Sequence, residues 1–415
     1  MNAPSTLTCR FCDTALHHSF CDLGVSPLSN AFVRPQDLLA PETFYPLHAY
    51  ACDRCWLVQL PAHESPSTLF ADDYAYFSSY SESWLAHARA YAHDAIARFG
   101  LGAQSQVVEI ASNDGYLLQY FHAAGVPVLG IEPAANCARV AQDKGIPTRV
   151  EFFGATSAGR LAAEGKQADL LIGNNVLAHV PDINDFVAGL AVLLKPGGVL
   201  SLEFPHLLEL IRHNQFDTIY HEHYSYLSLL AVERLFARHG LAVFDVQPLP
   251  THGGSLRVLA RHVADTSKPA GPGVNAVRNA EKAAGLDTLA PYAAFADRVT
   301  ETRLRLLEFL LAARRAGKRV WGYGAPAKGN TLLNFCGVRA DLLHATVDRS
   351  PHKQGLFLPG TRIPVYAPQA LTDAKPDYVL ILPWNLKDEI TAQMAHIRGW
   401  GGQFVVPIPD VQVLA

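Results

Sequence analysis

No run of apolar residues in this chain approaches the roughly 20 that cross a bilayer. The stretch MNAPSTLTCRFC at the amino terminus lacks the basic-then-apolar order of a secretory signal. Basic charge is also in short supply. The 34 Lys and Arg against 38 Asp and Glu give a net charge of −4 and a pI near 6.5. No nucleic-acid and no membrane partner is therefore expected as the main business of the chain. A cytoplasmic location follows, and in that reducing compartment the seven cysteines are expected as thiols or metal ligands, not disulfides.

What is present is the composition of a soluble globular protein, 49% hydrophobic and 17% charged. At 415 residues, two to four domains are expected, each long enough to bury a core. Cys9-x-x-Cys12 and Cys52-x-x-Cys55 form two knuckle pairs about forty residues apart. Each knuckle turn aims two thiolates at one ion, which is the ligand set of a tetrahedral structural zinc. The segment between them is rich in proline and poor in apolar mass, so the metal would supply much of its folding free energy. Cys21 lacks a partner at this spacing and reads as structural.

LFADDYAYFSSYSESW (69–84) follows, aromatic and hydroxyl-rich. It either lies over a ligand or forms a surface turn with its tyrosines packed beneath. QVVEIASNDGYLLQYF and VLGIEPAANCARVAQ then read as strand, turn and helix, twice. Such alternation implies a parallel sheet with its ligand at the carboxyl ends of the strands. Glu132, followed by Pro133, ends the second strand, where a carboxylate can take both hydroxyls of a ribose. The G-x-G-x-x-G that brings amides to a pyrophosphate is missing. In its place stands Glu109-Ile-Ala-Ser112-Asn113-Asp114-Gly115, with one glycine and an added carboxylate. Acidic groups repel a pyrophosphate but suit an ammonium and a sulfonium cation, so S-adenosylmethionine is expected as cofactor in preference to NAD. A further strand ends at Asn174-Asn175, and His179 beyond it is placed for chemistry or for a structural hydrogen bond.

The densest chemistry is Tyr220-His221-Glu222-His223-Tyr224-Ser225-Tyr226. Two imidazoles, a carboxylate and three phenols without an apolar spacer suit a cavity lining where a proton is taken from a substrate. A loop of satisfied hydrogen-bonders, or half of a metal site, is the plainer alternative. Residues 262–283 are rich in Ala, Gly and Pro with little periodicity and read as a linker or loosely packed arm; a connecting helix follows up to about 316. The last hundred residues open a second strand-turn-helix unit. Gly322, Tyr323, Gly324, Lys328 and Asn330 offer amides and a lysine as a phosphate cradle. Asp348, Lys353, Trp384 and Asn385 fall at or just beyond strand ends. The alternative is a degenerate domain kept for packing or dimerisation.

Zinc knuckles, EIASNDG, Tyr-x-Glu-His and VWGYGAPAKGNTLLN stand here in that order. The combination resembles the zinc-containing, S-adenosylmethionine-dependent sugar-nucleotide C-methyltransferases, close in layout to those of the D-tetronitrose type, over nearly the whole chain. The resemblance implies an α/β chain in four parts. These are a small zinc-binding domain (1–68), a class I methyltransferase domain of Rossmann-like fold (69–265), a linker with a connecting helix (266–316), and a second Rossmann-like domain for a nucleotide sugar (317–415). It implies a nucleotide-linked 4-keto-deoxysugar, carried on dTDP, GDP or CDP, as substrate. Its catalytic set falls on Tyr220, Glu222 and His223, with His179 and a tyrosine from the zinc-domain junction, Tyr76 or alternatively Tyr74. His223 would take the C3 hydrogen next to the C4 ketone, with Glu222 holding its tautomer. Tyr220, Tyr76 and His179 would hold or protonate the C4 oxygen, and the enolate would be methylated. His221 is the more dispensable imidazole, and Ala111 stands where a glycine-rich loop would have glycine. A monomer is expected. Competing readings are an NAD-dependent nucleotide-sugar epimerase or dehydrogenase, a C-methyltransferase of a non-sugar carbon acid, and a non-catalytic zinc-containing scaffold.

Overall fold

The computed structural model describes residues 7–65 and 77–414. Three sheets organise them. The central one has seven strands, running from edge to edge as Leu241–Leu249, Ser255–His262, Leu194–Pro205, Ala168–Asn174, Val107–Ile110, Val128–Ile131 and Thr148–Arg149. The last five are mutually parallel, and the Leu241–His262 hairpin closes one edge antiparallel. Every residue of Val107–Ile110 is buried, as suits a parallel strand covered by helices on both faces. From that strand the chain winds outward through Val128–Ile131 to Thr148–Arg149, then returns to its other side at Ala168–Asn174. The reversal opens a crevice at the strands' carboxyl ends, where the Ala111–Gly115 loop, Glu132 and Asn174 emerge. This is the class I methyltransferase arrangement.

The amino-terminal sheet crosses the expected domain boundary. His18–Ser26, Tyr45–Ala51 and Val58–Gln59 are joined by a fourth strand, Ser225–Tyr226, with Val58 opposite Tyr226 and Gln59 opposite Ser225. The strand leaving the His-Glu-His turn thus belongs to the zinc domain's sheet. The carboxyl-terminal sheet runs Val365–Tyr366, Thr346–Val347, Val320–Tyr323, Tyr378–Ile381, Gln403–Val406, Gln412–Leu414, parallel except for the last strand.

One expectation fails here. Much of the Ala/Gly/Pro-rich stretch 262–283 is a helix, Pro272–Ala283, with proline at its first turn, where the missing N–H is no loss. Val274, Val277 and Glu281 are buried. The Glu281 carboxylate accepts from the Leu229 and Leu230 amides (2.6 and 2.9 Å) and contacts His206 Nε2 at 2.7 Å. It caps the neighbouring helix, Leu229–Arg238, whose first amides lack partners of their own. Among the described residues, no helix is long and apolar enough to cross a membrane.

Candidate active site

A cavity of about 970 Å³ lies where the three sheets meet, at the upper end of the roughly 300–1,000 Å³ of small-molecule sites. Its wall takes Asn113, Glu132, Asn174 and Asn175 from the central crevice, Tyr220, Glu222 and His223 from the dense turn, and Lys328, Lys353 and Asn385 from the carboxyl-terminal domain.

The zinc knuckles stand outside this cavity. The Sγ atoms of Cys9, Cys12, Cys52 and Cys55 all lie within 4.8 Å of one another, with Cys9 to Cys55 at 3.5 Å and Cys12 to Cys52 at 3.6 Å. Tetrahedral zinc with about 2.3 Å bonds sets sulfurs about 3.8 Å apart, so the cluster fits the ion. Gln59 Nε2 donates to Cys9 Sγ at 3.1 Å, a supporting contact that orients a ligand. Cys21 is buried in a separate apolar cluster.

At the cofactor end, the Glu132 carboxylate accepts from the Asn113 and Ala134 amides (2.9 and 2.8 Å). Burial pushes its pKa up to about 7. The Oδ1 atoms of Asn174 and Asn175 are buried on the wall without a partner among the described residues, acceptors waiting for a donor such as an ammonium. Phe152 and Phe153 add an aromatic face that no motif had flagged. These groups fit S-adenosylmethionine. Ala111 and Asn113 hold left-handed φ values of 56° and 49°, so the loop keeps a conformation that glycine would adopt more easily. Four expected contacts are not on the wall. Glu109 and Ser112 are fully buried, Gly115 lies against Ala141, and Asp114 accepts from the Ser79 amide at 3.3 Å and pairs with Lys144 at 3.5 Å. Of Glu132 and Asp114, Glu132 lines the cavity and Asp114 does not.

The dense turn corrects two expected roles. His223 Nδ1 donates to the Thr218 carbonyl (2.8 Å), which leaves Nε2 to accept from the Tyr220 hydroxyl (2.8 Å). Burial holds this imidazole well below its ordinary pKa, and it is neutral. Thr218, not Glu222, sets the tautomer, because a carbonyl only accepts. The Glu222 carboxyl instead takes the Asn30 side-chain amide at 2.6 Å, and burial raises its pKa to about 7. His179 Nδ1 donates to the Glu222 carbonyl at 2.8 Å, and burial lowers its pKa to about 4. A neutral His179 therefore turns an acceptor, Nε2, elsewhere and has no proton there for the C4 oxygen. His221 contacts the Pro46 carbonyl at 3.2 Å, away from the cavity wall. Tyr74 and Tyr76 lie outside the described residues. Asn30 and His252 also lie on the wall, and no motif marks either of them.

The phosphate cradle is narrower than its sequence suggests. The Gly322 and Gly324 amides are spent on the Ala345 and Val347 carbonyls, and Asp348 accepts from the Ala325 amide at 2.6 Å. Tyr323 lies in the sheet. Asn330 donates to the Ser29 carbonyl (2.6 Å) and the Trp384 indole to Asp217 (2.7 Å). None of these lines the cavity. What remains is Pro326, Ala327 and Lys328 at the start of helix Ala327–Cys336, with Lys353 and Asn385. Lys328 Nζ donates to Asn385 Oδ1 at 2.6 Å and lies 4.5 Å from the Trp384 ring.

Comparison with known proteins matches these parts. Residues 9–70 fit a zinc-binding-domain model, 84–246 a methyltransferase-domain model and 250–409 the model of the C-methyltransferase C-terminal domain. The chain is 38% identical to the C-methyltransferase NovU of Streptomyces niveus, over 98% of its own length and 96% of that protein's. The chain belongs to the C-methyltransferase family. It is an S-adenosylmethionine-dependent enzyme with a zinc-binding domain, which sets aside the NAD-dependent and scaffold readings. A ubiquinone biosynthesis O-methyltransferase of Bordetella avium is 33% identical over 95 residues, 22% of this chain and 39% of that protein. The magnesium protoporphyrin IX methyltransferase ChlM of Synechocystis PCC 6803, solved with SAH bound, aligns at 16% identity and a TM-score of 0.35, over 46% of this chain and 90% of that one.

Proposed function

We propose that this C-methyltransferase acts at C3 of a nucleotide-linked 4-keto-deoxysugar carried on dTDP, GDP or CDP. The observation that carries the reading is the single cavity that unites an S-adenosylmethionine end, a buried Tyr220–His223 pair and a cationic end at Lys328 and Lys353. A cofactor and a phosphorylated substrate thus have opposite ends of one space, with proton-transfer groups between them. A non-sugar carbon acid would leave the two lysines without a counter-anion.

A C4 ketone makes the C3 hydrogen acidic. Neutral His223, fixed by Thr218, accepts that proton directly or through the Tyr220 phenol, whose own proton moves to Nε2; either way the proton ends on His223. Negative charge then develops on the C4 oxygen. Glu222 supplies the hydrogen bond there: a carboxyl raised to a pKa of about 7 is half protonated at neutral pH and more so below it, and a donor aimed at developing charge in a dry site is a large contribution. Glu132, Asn174 and Asn175 would hold S-adenosylmethionine, which would supply an electrophilic methyl group for the C3 carbanion. The sulfonium positive charge and the enolate negative charge are both lost in the transfer.

The test combines the purified chain with S-adenosylmethionine and dTDP-, GDP- or CDP-linked 4-keto-deoxysugars in deuterated water. C3 deuterium exchange and a product heavier by one methyl group are expected. Absence of both with all three carriers, alongside intact S-adenosylmethionine binding, overturns the sugar reading and favours another carbon acid.

A further inference from the structure

The loop 27–34 of the zinc-bearing domain reaches the point where all three domains meet. Its Ser29 carbonyl accepts from Asn330 at 2.6 Å, and Val33 exchanges both backbone hydrogen bonds with Phe357 at 2.9 Å. Lys353 Nζ, itself bonded to the Ala325 carbonyl, lies 5.5 Å from the centre of the Phe32 ring. Anchored on both sides by the carboxyl-terminal domain, the loop places the Asn30 side chain on the cavity wall, with Nδ2 2.6 Å from Glu222 Oε1. The partners are 192 residues apart in the chain, and the turn that carries Glu222 is also joined to the zinc-bearing domain's sheet through Ser225 and Tyr226.

We propose that Asn30 is a positioning residue of the reaction: its amide fixes the Glu222 carboxyl, so that the zinc-bearing domain controls both the orientation and the acidity of that group. The inference rests on the role given to Glu222 above. An amide N–H on Oε1 makes that oxygen the acceptor and leaves the proton to Oε2, the atom that can donate to a substrate. It also stabilises the ionised form and so opposes the effect of burial. The other groups around Glu222 are Lys353, which favours the ionised form, the Tyr224 phenol, and His179, which donates to the Glu222 backbone carbonyl and not to its carboxyl. Among the described residues, Asn30 is the side chain bonded to the carboxyl itself.

Two variants separate positioning from bulk structure. Asn30→Ala removes the donor, and the isosteric Asn30→Asp replaces it with a second carboxyl, which repels the first and disfavours its ionisation. In the resting full-length enzyme, infrared difference spectra recorded against pH should show a carboxylic C=O band that titrates near pH 7 and is missing in Glu222→Gln. Its midpoint should rise by about one pH unit in Asn30→Ala and further in Asn30→Asp, with zinc content and S-adenosylmethionine affinity unchanged. Where turnover is measured, kcat should fall with little change in KM, and Asn30→Ala should add no further loss in a Glu222→Gln background. An unmoved midpoint in both variants, or no band sensitive to Glu222→Gln, overturns the proposal. The titration needs no substrate, so failure of every keto-sugar to react would sink the functional reading and still leave the role of Asn30 decided.

Discussion

Tyr226 is paired with Val58, which makes the strand after the His-Glu-His turn a member of the zinc domain's sheet. Further contacts tighten the same seam. The Leu60 amide donates to the Tyr224 carbonyl at 3.0 Å, Arg10 donates to the Pro181 carbonyl at 2.7 Å, and its guanidinium lies 5.2 Å from the centre of the Tyr224 ring. The turn that carries Tyr220, Glu222 and His223 is therefore held from the zinc side.

Stripping the metal should abolish activity, although no zinc ligand touches the cavity. A structural zinc contributes on the order of 10–16 kcal/mol of binding free energy, and without it the Val58–Gln59 strand loses its anchor. A strong chelator should abolish methyl transfer while S-adenosylmethionine still binds the central sheet, as followed by calorimetry. Full turnover in metal-free protein would contradict this coupling.

His223→Asn should lower kcat by about 10²–10⁴-fold, the usual contribution of a general base, and abolish C3 deuterium exchange. The S-adenosylmethionine dissociation constant should stay put, because the Glu132 end of the cavity is separate. Tyr220→Phe should retain some exchange, since His223 Nε2 is then open to the substrate directly.

The pH dependence of kcat should follow two buried groups with opposite signs. His223 lies well below its ordinary pKa, so it stays neutral and competent until the solution is distinctly acidic. Glu222, raised to about 7, is protonated below that pH and loses its proton above it. The rate should therefore be highest below about pH 7 and decline on the alkaline side. In Glu222→Gln, whose amide donates at every pH, that decline should vanish; Glu222→Ala should cost about 10²–10³-fold in kcat, as removal of a donor to a developing oxyanion does.

Lys328→Met should weaken binding of the nucleoside diphosphate and leave S-adenosylmethionine unaffected. Loss of a hydrogen bond to a charged group costs about 1.5–3 kcal/mol, or roughly 10- to 100-fold in the dissociation constant. Equilibrium titration with dTDP, GDP and CDP measures it, and equal affinity in the variant would remove Lys328 from the substrate site.

Much of this organisation is readable in the chain because it is local. Two CxxC pairs make a zinc site wherever their turns meet, and the four sulfurs do converge. Apolar runs of strand length followed by helical spacing gave the parallel sheets, since side-chain period depends only on near neighbours. The composition of residues 220–226 marked the turn on the cavity wall for the same reason: chemistry that dense is visible without a fold. Helix Pro272–Ala283 is masked by the Ala, Gly and Pro around it, which read as a linker although Val274, Val277 and Glu281 share one buried face.

Hydrogen-bond partnership was decided only by tertiary structure. Glu222 met Asn30 and not its neighbour His223, Asp114 turned to Ser79 and Lys144, and Asp348 took the Ala325 amide. Buried polar groups must be paired, and which partner each one takes depends on groups brought near it from distant parts of the chain. Residue type is local, so the sequence determined which chemistries this protein can perform. Partnership is a property of the packed whole, and it decided which atom carries the proton.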